Sequence, residues 1–310
     1  MILAVSAPED RHVAAVVDLL TERDIRVAHV EAPSLSADTA VEFDDGRWLL
    51  HLKGRRESID LSAARIGWWR RDPMPPISRD VAVLAEADGA PVESTEALVG
   101  TLLALDVEWV SAPHDDRVAR WRPVQWRAAV RAGIPLPATL VTRDPDRARA
   151  FRDRHLDAGV IVKPLVRRDD DGCGCRQVPS ERELEEVVTA TIAESVVQRF
   201  IPGDDIRVIA IGTELFAAEL DPGSAAWYAE PEARPIALPT ALHVAIHRML
   251  SMLGLGAAAV DLRRDLDGGY WLLDIDPQPR WLLLEELTGL PVTQAMVELL
   301  SRNAHALSLI

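Results

Sequence analysis

Lysine is almost missing from this chain. Only Lys53 and Lys163 occur, so arginine carries nearly all of the positive charge. The formal net charge is -15, the wrong sign for a protein that grips nucleic acid through its phosphates, which needs clustered basic residues. Arginine pairs occur at 55–56, 70–71, 167–168 and 263–264, but acids interleave with them. That argues against a nucleic-acid partner. No apolar run reaches the length of about 18 residues that would mark a membrane-spanning helix. The first residues, Met1-Ile2-Leu3-Ala4-Val5-Ser6, lack the basic flank and cleavage pattern of a signal peptide and read as a strand. Cysteine is confined to Cys173 and Cys175. One intervening residue makes a disulfide uncomfortable, and two thiols are too few for a zinc site. A reducing cytoplasm is the setting this composition suggests.

What is present is an α/β pattern. A strand, a helix over Asp10–Arg23 with Val13, Val16, Val17 and Leu20 at helical spacing, and a strand at Arg26–Val30 form a βαβ start. Val41–Phe43 and Trp48–His51 flank Asp44-Asp45-Gly46, a hairpin signal. Ile66–Trp69 reads as a buried strand, followed by a proline-rich loop and a helix over Glu93–Leu105. After Ser111-Ala112-Pro113 a new unit begins. It carries a helix over Val118–Ala132, a strand at Thr139–Thr142, a helix over Pro145–Arg154, a strand at Val160–Lys163, a polar loop over Arg167–Arg176 and a helix over Glu181–Ile192. Strands at Val196–Ile201 and Ile206–Ile211, a helix over Pro239–Leu253, a hairpin (Gly256–Arg263 and Gly269–Asp276) and a helix near Val292–Leu300 complete the chain. The expected division is 1–111, 112–197 and 198–310.

The hairpin carries the chemistry. Asp267-Gly268 is a favoured two-residue loop, which would pair Leu266 with Gly269. Counted outward, that register sets Asp261 opposite Asp274 and places Asp276 on the same face. Val260, Leu262, Leu273 and Ile275 then share the other face. Directly opposed like charges destabilise a sheet, and a divalent cation removes the conflict. Oxygen-only ligands favour magnesium, which keeps several waters and binds substrate phosphates. The plain alternative is a sheet face whose acids meet water or arginine, with Arg263 sharing that face.

Several other residues suit a nucleotide. Lys163 ends an apolar strand beside a loop containing Gly172 and Gly174, whose backbone N–H groups can cover phosphates. A lysine at a strand end is more often simply solvated. Val197-Gln198-Arg199-Phe200-Ile201 suits a hinge whose backbone meets an adenine, or a plain core strand. In Asp205-Ile206-Arg207-Val208 the period of two puts Asp205 and Arg207 on one face. Arg207 there clamps a phosphoryl group bidentately or pairs with Asp205. The eight histidines show no ligand spacing, and no Ser-His-Asp or Cys-His arrangement is evident.

The order of these features resembles the ATP-grasp superfamily, and more narrowly its microviridin-type macrocyclases, the graspetide synthetases. Trp68-Trp69-Arg70-Arg71-Asp72-Pro73 is similar to that group's Trp-Arg-Arg-Pro stretch. Ile134-Pro135-Leu136-Pro137-Ala138-Thr139-Leu140-Val141-Thr142, Lys163-Pro164-Leu165, Asp205-Ile206-Arg207-Val208 and Ile211-Gly212 continue the likeness. It ends in Asp274-Ile275-Asp276-Pro277, Trp281, Glu285 and Thr288-Gly289-Leu290-Pro291-Val292. The resemblance implies an ATP-grasp fold, with a pre-ATP-grasp α/β unit, a central subdomain and a C-terminal subdomain holding the metal hairpin. It implies ATP and Mg2+ as cofactors, and a precursor peptide with a leader and an acidic, hydroxyl-rich core as partner. It further implies phosphorylation of an Asp or Glu side chain of that peptide, then attack by a Thr, Ser or Lys side chain to close an ester or amide ring. Arg207 and Lys163 are the implied catalytic residues. Arg122, Lys163, Gly172, Gly174, Gln198, Arg199, Phe200, Ile201 and Asp205 would bind ATP, and Asp261, Asp274 and Asp276 the metal. Relatives often dimerise, so a homodimer is expected.

Departures from the pattern are specific. Asp274 and Asp276 stand where the family has Glu and Asn, and Arg122 stands where many relatives have a phosphate-binding lysine. Gln278-Pro279-Arg280 replaces a stretch that usually carries glycine. Two other functions stay open: a ligase acting on a free amino acid or small acid, and a degenerate ATP-grasp that binds a peptide without catalysis.

Overall fold

The structure, a computed structural model, describes residues 1–7, 9–31, 39–52, 58–70, 90–165, 176–178, 180–190, 194–220 and 232–306. No helix among them is long and apolar enough to cross a membrane. The proline-rich loop after Arg70, and the 167–176 loop apart from Arg176, lie outside the described residues.

The first unit contains β1 (Ile2–Ser6), α1 (Arg11–Glu22), β2 (Val27–Glu31), β3 (Thr39–Asp44), β4 (Arg47–Leu52), β5 (Ile59–Asp60), β6 (Ile66–Trp69), α2 (Ala90–Leu103) and β7 (Glu108–Trp109). Four of its strands form a parallel sheet in the order β2-β1-β6-β7, and β3-β4-β5 form an antiparallel ribbon. Asp10 caps α1, accepting from the backbone N–H of His12 and Val13, and Val13, Val16 and Leu20 face the core. The expected βαβ start is therefore present.

Next come α3 (Pro113–Ala119), α4 (Arg122–Ala132), β8 (Thr139–Thr142), α5 (Pro145–Asp153), β9 (Val160–Pro164), β10 (Arg176–Val178), α6 (Glu181–Ala190) and β11 (Ser195–Arg199). The single helix expected over Val118–Ala132 is two helices broken at Arg120-Trp121. Pro123 has no N–H to continue a helix, but suits its first turn, where the N–H groups have no helical partner. Strands β10-β9-β11-β8 form an antiparallel sheet. Val160, Val162 and Val197 pack against Ala148, Phe151, Leu184 and Val188 beneath it.

The last unit holds β12 (Gly203–Ile211), β13 (Glu214–Leu220), β14 (Ala233–Pro235), α7 (Thr240–Met252), β15 (Ala257–Asp265), β16 (Tyr270–Asp276), α8 (Leu282–Thr288) and α9 (Val292–Ala306). Strands β13 and β14 and helix α8 were not anticipated. The sheet runs β14-β13-β12-β15-β16, antiparallel throughout. One face, with Ile206, Val208, Val260, Leu262, Leu272 and Ile275, buries against α4 and α7. The other presents Ile209, Ile211, Ala257 and Ala259 to α9, Trp281 and the first unit's β1 and β6. The period of two then continues this second row into Asp205, Arg207, Asp261 and Arg263. One sheet face is thus apolar at one end and charged at the other.

Candidate active site

The charged end is built by the β15–β16 hairpin. Asp261 is paired with Asp274, and Asp276 with Ala259. The turn reaches this register by an unexpected route. Asp265 N–H donates to Gly269 at 2.8 Å, and Gly268 N–H to Asp265 at 3.0 Å. Asp265 and Gly269 therefore enclose three residues, Leu266-Asp267-Gly268, rather than two. Gly268 adopts φ +83°, the left-handed conformation that ends a three-residue turn. Asp265 braces the turn by accepting from Gly269 N–H at 2.6 Å and Trp271 Nε1–H at 2.7 Å. The Trp271 bond, followed by the turn's backbone donors, holds its carboxyl below the usual carboxylate range.

The longer turn shifts pairing by one residue near the loop, giving Arg264–Tyr270, Arg263–Trp271 and Leu262–Leu272. A bulge at Leu273 restores Asp261–Asp274. Leu272, not the expected Leu273, enters the core. The Leu273 carbonyl accepts from Lys163 Nζ at 2.8 Å.

Three buried cations meet this face: Arg122, Lys163 and Arg207 are 2%, 3% and 8% exposed. Burial to this degree rules out the simply solvated lysine. Arg122 opens α4 and donates to the Leu165 carbonyl and to Asp274 Oδ1, each at 3.0 Å. Its Nη2 is buried and finds no hydrogen-bond partner among the described residues. Arg207 on β12 holds Asp261 bidentately at 2.7 and 2.9 Å. Asp276 accepts from Gln278 N–H at 3.0 Å.

Asp205 pairs with Arg263 at 3.2 Å. Burial pushes its carboxyl above the ordinary range; Arg263 opposes the shift and Asp261 adds to it. Arg263 also donates to Gly203 at 2.9 Å and lies 5.5 Å from the Phe200 ring, which brings Phe200 toward the charged face. Gly203 is required here, because a Cβ would sit 2.0 Å from the Arg264 carbonyl. Gln198 and Arg199 turn elsewhere. Gln198 donates to Thr139 Oγ1 at 2.9 Å, and Arg199 pairs with Asp157 at 2.9 Å. The N–H groups of Arg199 and Phe200 already donate to Ala138 and Gly159. Ile201 is buried. Gly172 and Gly174 lie outside the described residues.

A supporting layer went unrecognised in the sequence. Gln125 on α4 acts as an extra strand for β16, donating to Ile275 O at 2.8 Å and accepting from Ile275 N–H at 3.2 Å. Arg70 pairs with Asp10 at 2.9 Å, donates to Pro279 O at 2.7 Å and lies 5.1 Å from the Trp281 ring. Gln278 donates to Asp116 Oδ1 at 2.6 Å. Trp281 donates to Thr293 at 2.9 Å, and Thr293 to Glu285. The segment after the hairpin is thereby pinned to the first unit and to α3. Arg70, Trp281 and Glu285 gave a signal through the family likeness, and Gln278 and Pro279 through a departure from it.

Among the described residues, no three acid, histidine or cysteine side chains gather as ligands for one ion. The described residues therefore form no cage by themselves. Magnesium bound mainly by phosphates needs only one or two carboxylates, and the opposed Asp261 and Asp274 supply two. The unpartnered donor of Arg122 faces a buried setting that an anion would complete. This donor set fits a cation that arrives with phosphate.

No family model and no curated protein matches the chain. Solved structures do. The macrocyclase MdnC of Microcystis aeruginosa MRC, bound with its precursor peptide MdnA, aligns at TM-score 0.79 and 19% identity over 97% of this chain and 99% of that one. A Chryseobacterium gregarium RiPP-associated ATP-grasp ligase, in complex with ADP and a leader and core peptide, aligns at 0.79 and 20% over 97% and 96%. The ATP-grasp ligase PsnB, complexed with minimal precursor, Mg and ADP, aligns at 0.78 and 19% over 97% and 96%. Across nearly its whole length, this chain has the fold of the ATP-grasp ligases.

Proposed function

We propose that the protein is an ATP-dependent ligase that activates Asp or Glu side chains of a precursor peptide and closes ester or amide rings with its Thr, Ser or Lys side chains. The carrying observation is the convergence of Lys163, Arg122 and Arg207, buried and drawn from β9, α4 and β12, on the acid face of one hairpin. The relatives that bind precursor peptide with ADP support the choice of substrates.

In this reading a peptide carboxylate oxygen attacks the terminal phosphoryl of ATP, and ADP leaves. A hydroxyl or amine of the same peptide then attacks the acyl carbon and loses its proton, and phosphate departs with the C–O bond electrons. A carboxylate resists nucleophiles, whereas an acyl phosphate accepts them. Lys163 and Arg207 offset charge on the transferring phosphoryl and on the tetrahedral oxygen, and Arg122 takes a phosphate with its unused Nη2. Asp261 and Asp274, with Asp276 beside them, would hold magnesium, which would supply further charge neutralisation. Docking of a leader segment elsewhere raises the local concentration of the core. The same proposal includes the division at 111/112 and 197/198, a cytoplasmic setting and a homodimer, which sedimentation would reveal.

Mass spectrometry of the purified protein with ATP, Mg2+ and the peptide encoded beside it should show loss of one water per ring. An unchanged peptide mass, under conditions where nucleotide binds, would overturn the proposal. One observation favours a second reading, a peptide-binding module without catalysis: Asp261 and Asp274 already have arginine partners. Peptide-dependent ADP release separates the two.

A further inference from the structure

His243 and His247 stand four residues apart on α7, so their side chains share one face of the helix. Their ring centres lie 4.7 Å apart, with the planes tilted by 59°. Ile246, Met249 and Leu250 turn into the apolar core, and the two histidines are half-buried at its margin. A pair with this spacing is often no more than two rings in contact at a surface. Two properties of His247 set it apart from that case.

The first is its tautomer. The backbone of Thr213, in the turn between β12 and β13, accepts a hydrogen bond from the His247 ring. Nε2 is buried and has no hydrogen-bond partner among the described residues. Nδ1 therefore carries that bond and the proton, and Nε2 keeps a lone pair with no donor to meet it. Metal-ligating histidines are held in this way: one nitrogen donates to a carbonyl and fixes the ring, and the other faces the ion. The second property is charge. Burial first, and His243 next, hold the His247 pKa below the ordinary histidine value, against the opposing pull of Thr213 and Glu214. The ring is neutral at neutral pH, and neutral imidazole is the form that ligates.

An ion about 2.1 Å from each nitrogen needs the two no more than roughly 4.2 Å apart. Rings whose centres are 4.7 Å apart reach that separation by side-chain torsion, with the helix unchanged. Among the described residues no third acid, histidine or cysteine gathers with the pair, so water fills the remaining positions. The negative charge of Glu214 is felt at His247 and favours a cation. Imidazole ligands select the copper and zinc end of the first-row series, whereas magnesium takes oxygen. The place is also distinct from the acid hairpin. Along β12, Arg207 is four residues from Ile211 at the Thr213 end, about 13 Å of strand.

We propose that His243 and His247 form a metal site independent of the acid hairpin, which takes one divalent transition ion of the zinc and copper class per chain. The ion links two successive turns of α7 and stabilises the folded chain, because the unfolded chain does not hold the two rings together.

The test titrates Zn2+ into the full-length protein by calorimetry, in excess Mg2+ so that carboxylates are occupied and imidazoles are left free. One ion per chain is expected. Binding should weaken at least tenfold in His243→Ala and in His247→Ala, and stay unchanged in His114→Ala, whose exposed ring lies beside Asp115. With Cu2+, electron paramagnetic resonance should show splitting from two nitrogens, falling to one in His243→Ala. Zn2+ binding of equal strength in the unmodified protein and in both variants overturns the site, and so does no binding at about 1 mM ion, the weak end of specific affinity. If His247→Ala does not fold, as judged by circular dichroism, His243→Ala and the nitrogen count in the unmodified protein decide. A Cu2+ spectrum with fewer than two nitrogens then overturns the proposal.

Discussion

The ribbon β3–β4 turns at Asp45-Gly46, with φ of +47° and +77°, and pairs Asp44 with Arg47 and onward to Thr39 with Leu52 without a break. The hairpin β15–β16 contains the same Asp-Gly pair, yet it turns over three residues and inserts Leu273 to recover its register. The first follows the local rule for a two-residue loop. The second departs from it where chemistry is needed. Its bulge leaves the Leu273 carbonyl for Lys163 and holds Asp274 against Arg122. Bulges beside functional sites commonly re-aim groups in this way. An identical turn signal thus yields a regular ribbon in one place and a shaped site in another.

Breaking the charge pairs should separate the two hairpins most strongly. Arg122→Met should cost about 3 kcal/mol in urea unfolding, because Asp274 keeps its burial and loses its ion-pair partner. Arg47→Ala, at the exposed mouth of the ribbon, should change stability by no more than about 0.5 kcal/mol. Deletion of Leu273 comes next. It leaves Asp261 opposite Asp274 and Leu262 opposite Leu272, so the core should survive. The Lys163 contact goes with the bulge, and ADP affinity in calorimetry should fall about tenfold, the scale of one lost charged hydrogen bond. Gly268→Ala and Gly46→Ala should each destabilise by about 1 kcal/mol, since both sit at positive φ. Of these two, only Gly268→Ala should weaken ADP binding.

The smallest effect concerns two aspartates whose protonation responds in opposite directions. At Asp10 burial acts to raise the carboxyl, but the His12 hydrogen bond and Arg70 prevail and hold it well below the ordinary range. Its stabilisation is present above the unfolded value of about 3.9 and is lost as pH falls through the folded one. Asp205 is shifted upward by burial, so its contribution improves as pH falls. Asp10→Asn should flatten the acid limb of a plot of melting temperature against pH. Asp205→Asn should gain its advantage at neutral pH and lose it in acid.

Much of this architecture is legible in local pattern. Period-two alternation gives the faces of β12, and Ile206 and Val208 do enter the core while Arg207 joins the charged face. Helical spacing gives α1 and α7. The acid pair Asp261–Asp274 follows from the hairpin, though by a register that needed two compensating shifts. What escaped depends on distant partners. The exchange of Leu272 for Leu273 is fixed by Leu272 N–H donating to Pro135 O at 2.9 Å and by Lys163, neither visible within the hairpin. Arg70 meets Pro279 across 209 positions. The segment Val197–Ile201 reads equally as an adenine hinge or a core strand, and the partners of its Arg199 and Phe200 N–H groups, Ala138 and Gly159, lie far off in sequence.

The most direct test of the central claim is a crystal structure of the protein with ADP and Mg2+. Phosphates are expected against Lys163, Arg122 and Arg207, the cation on Asp261 and Asp274, and both arginine–aspartate pairs opened. Nucleotide bound away from this hairpin, or bound there with both pairs intact and no cation between the acids, would contradict it.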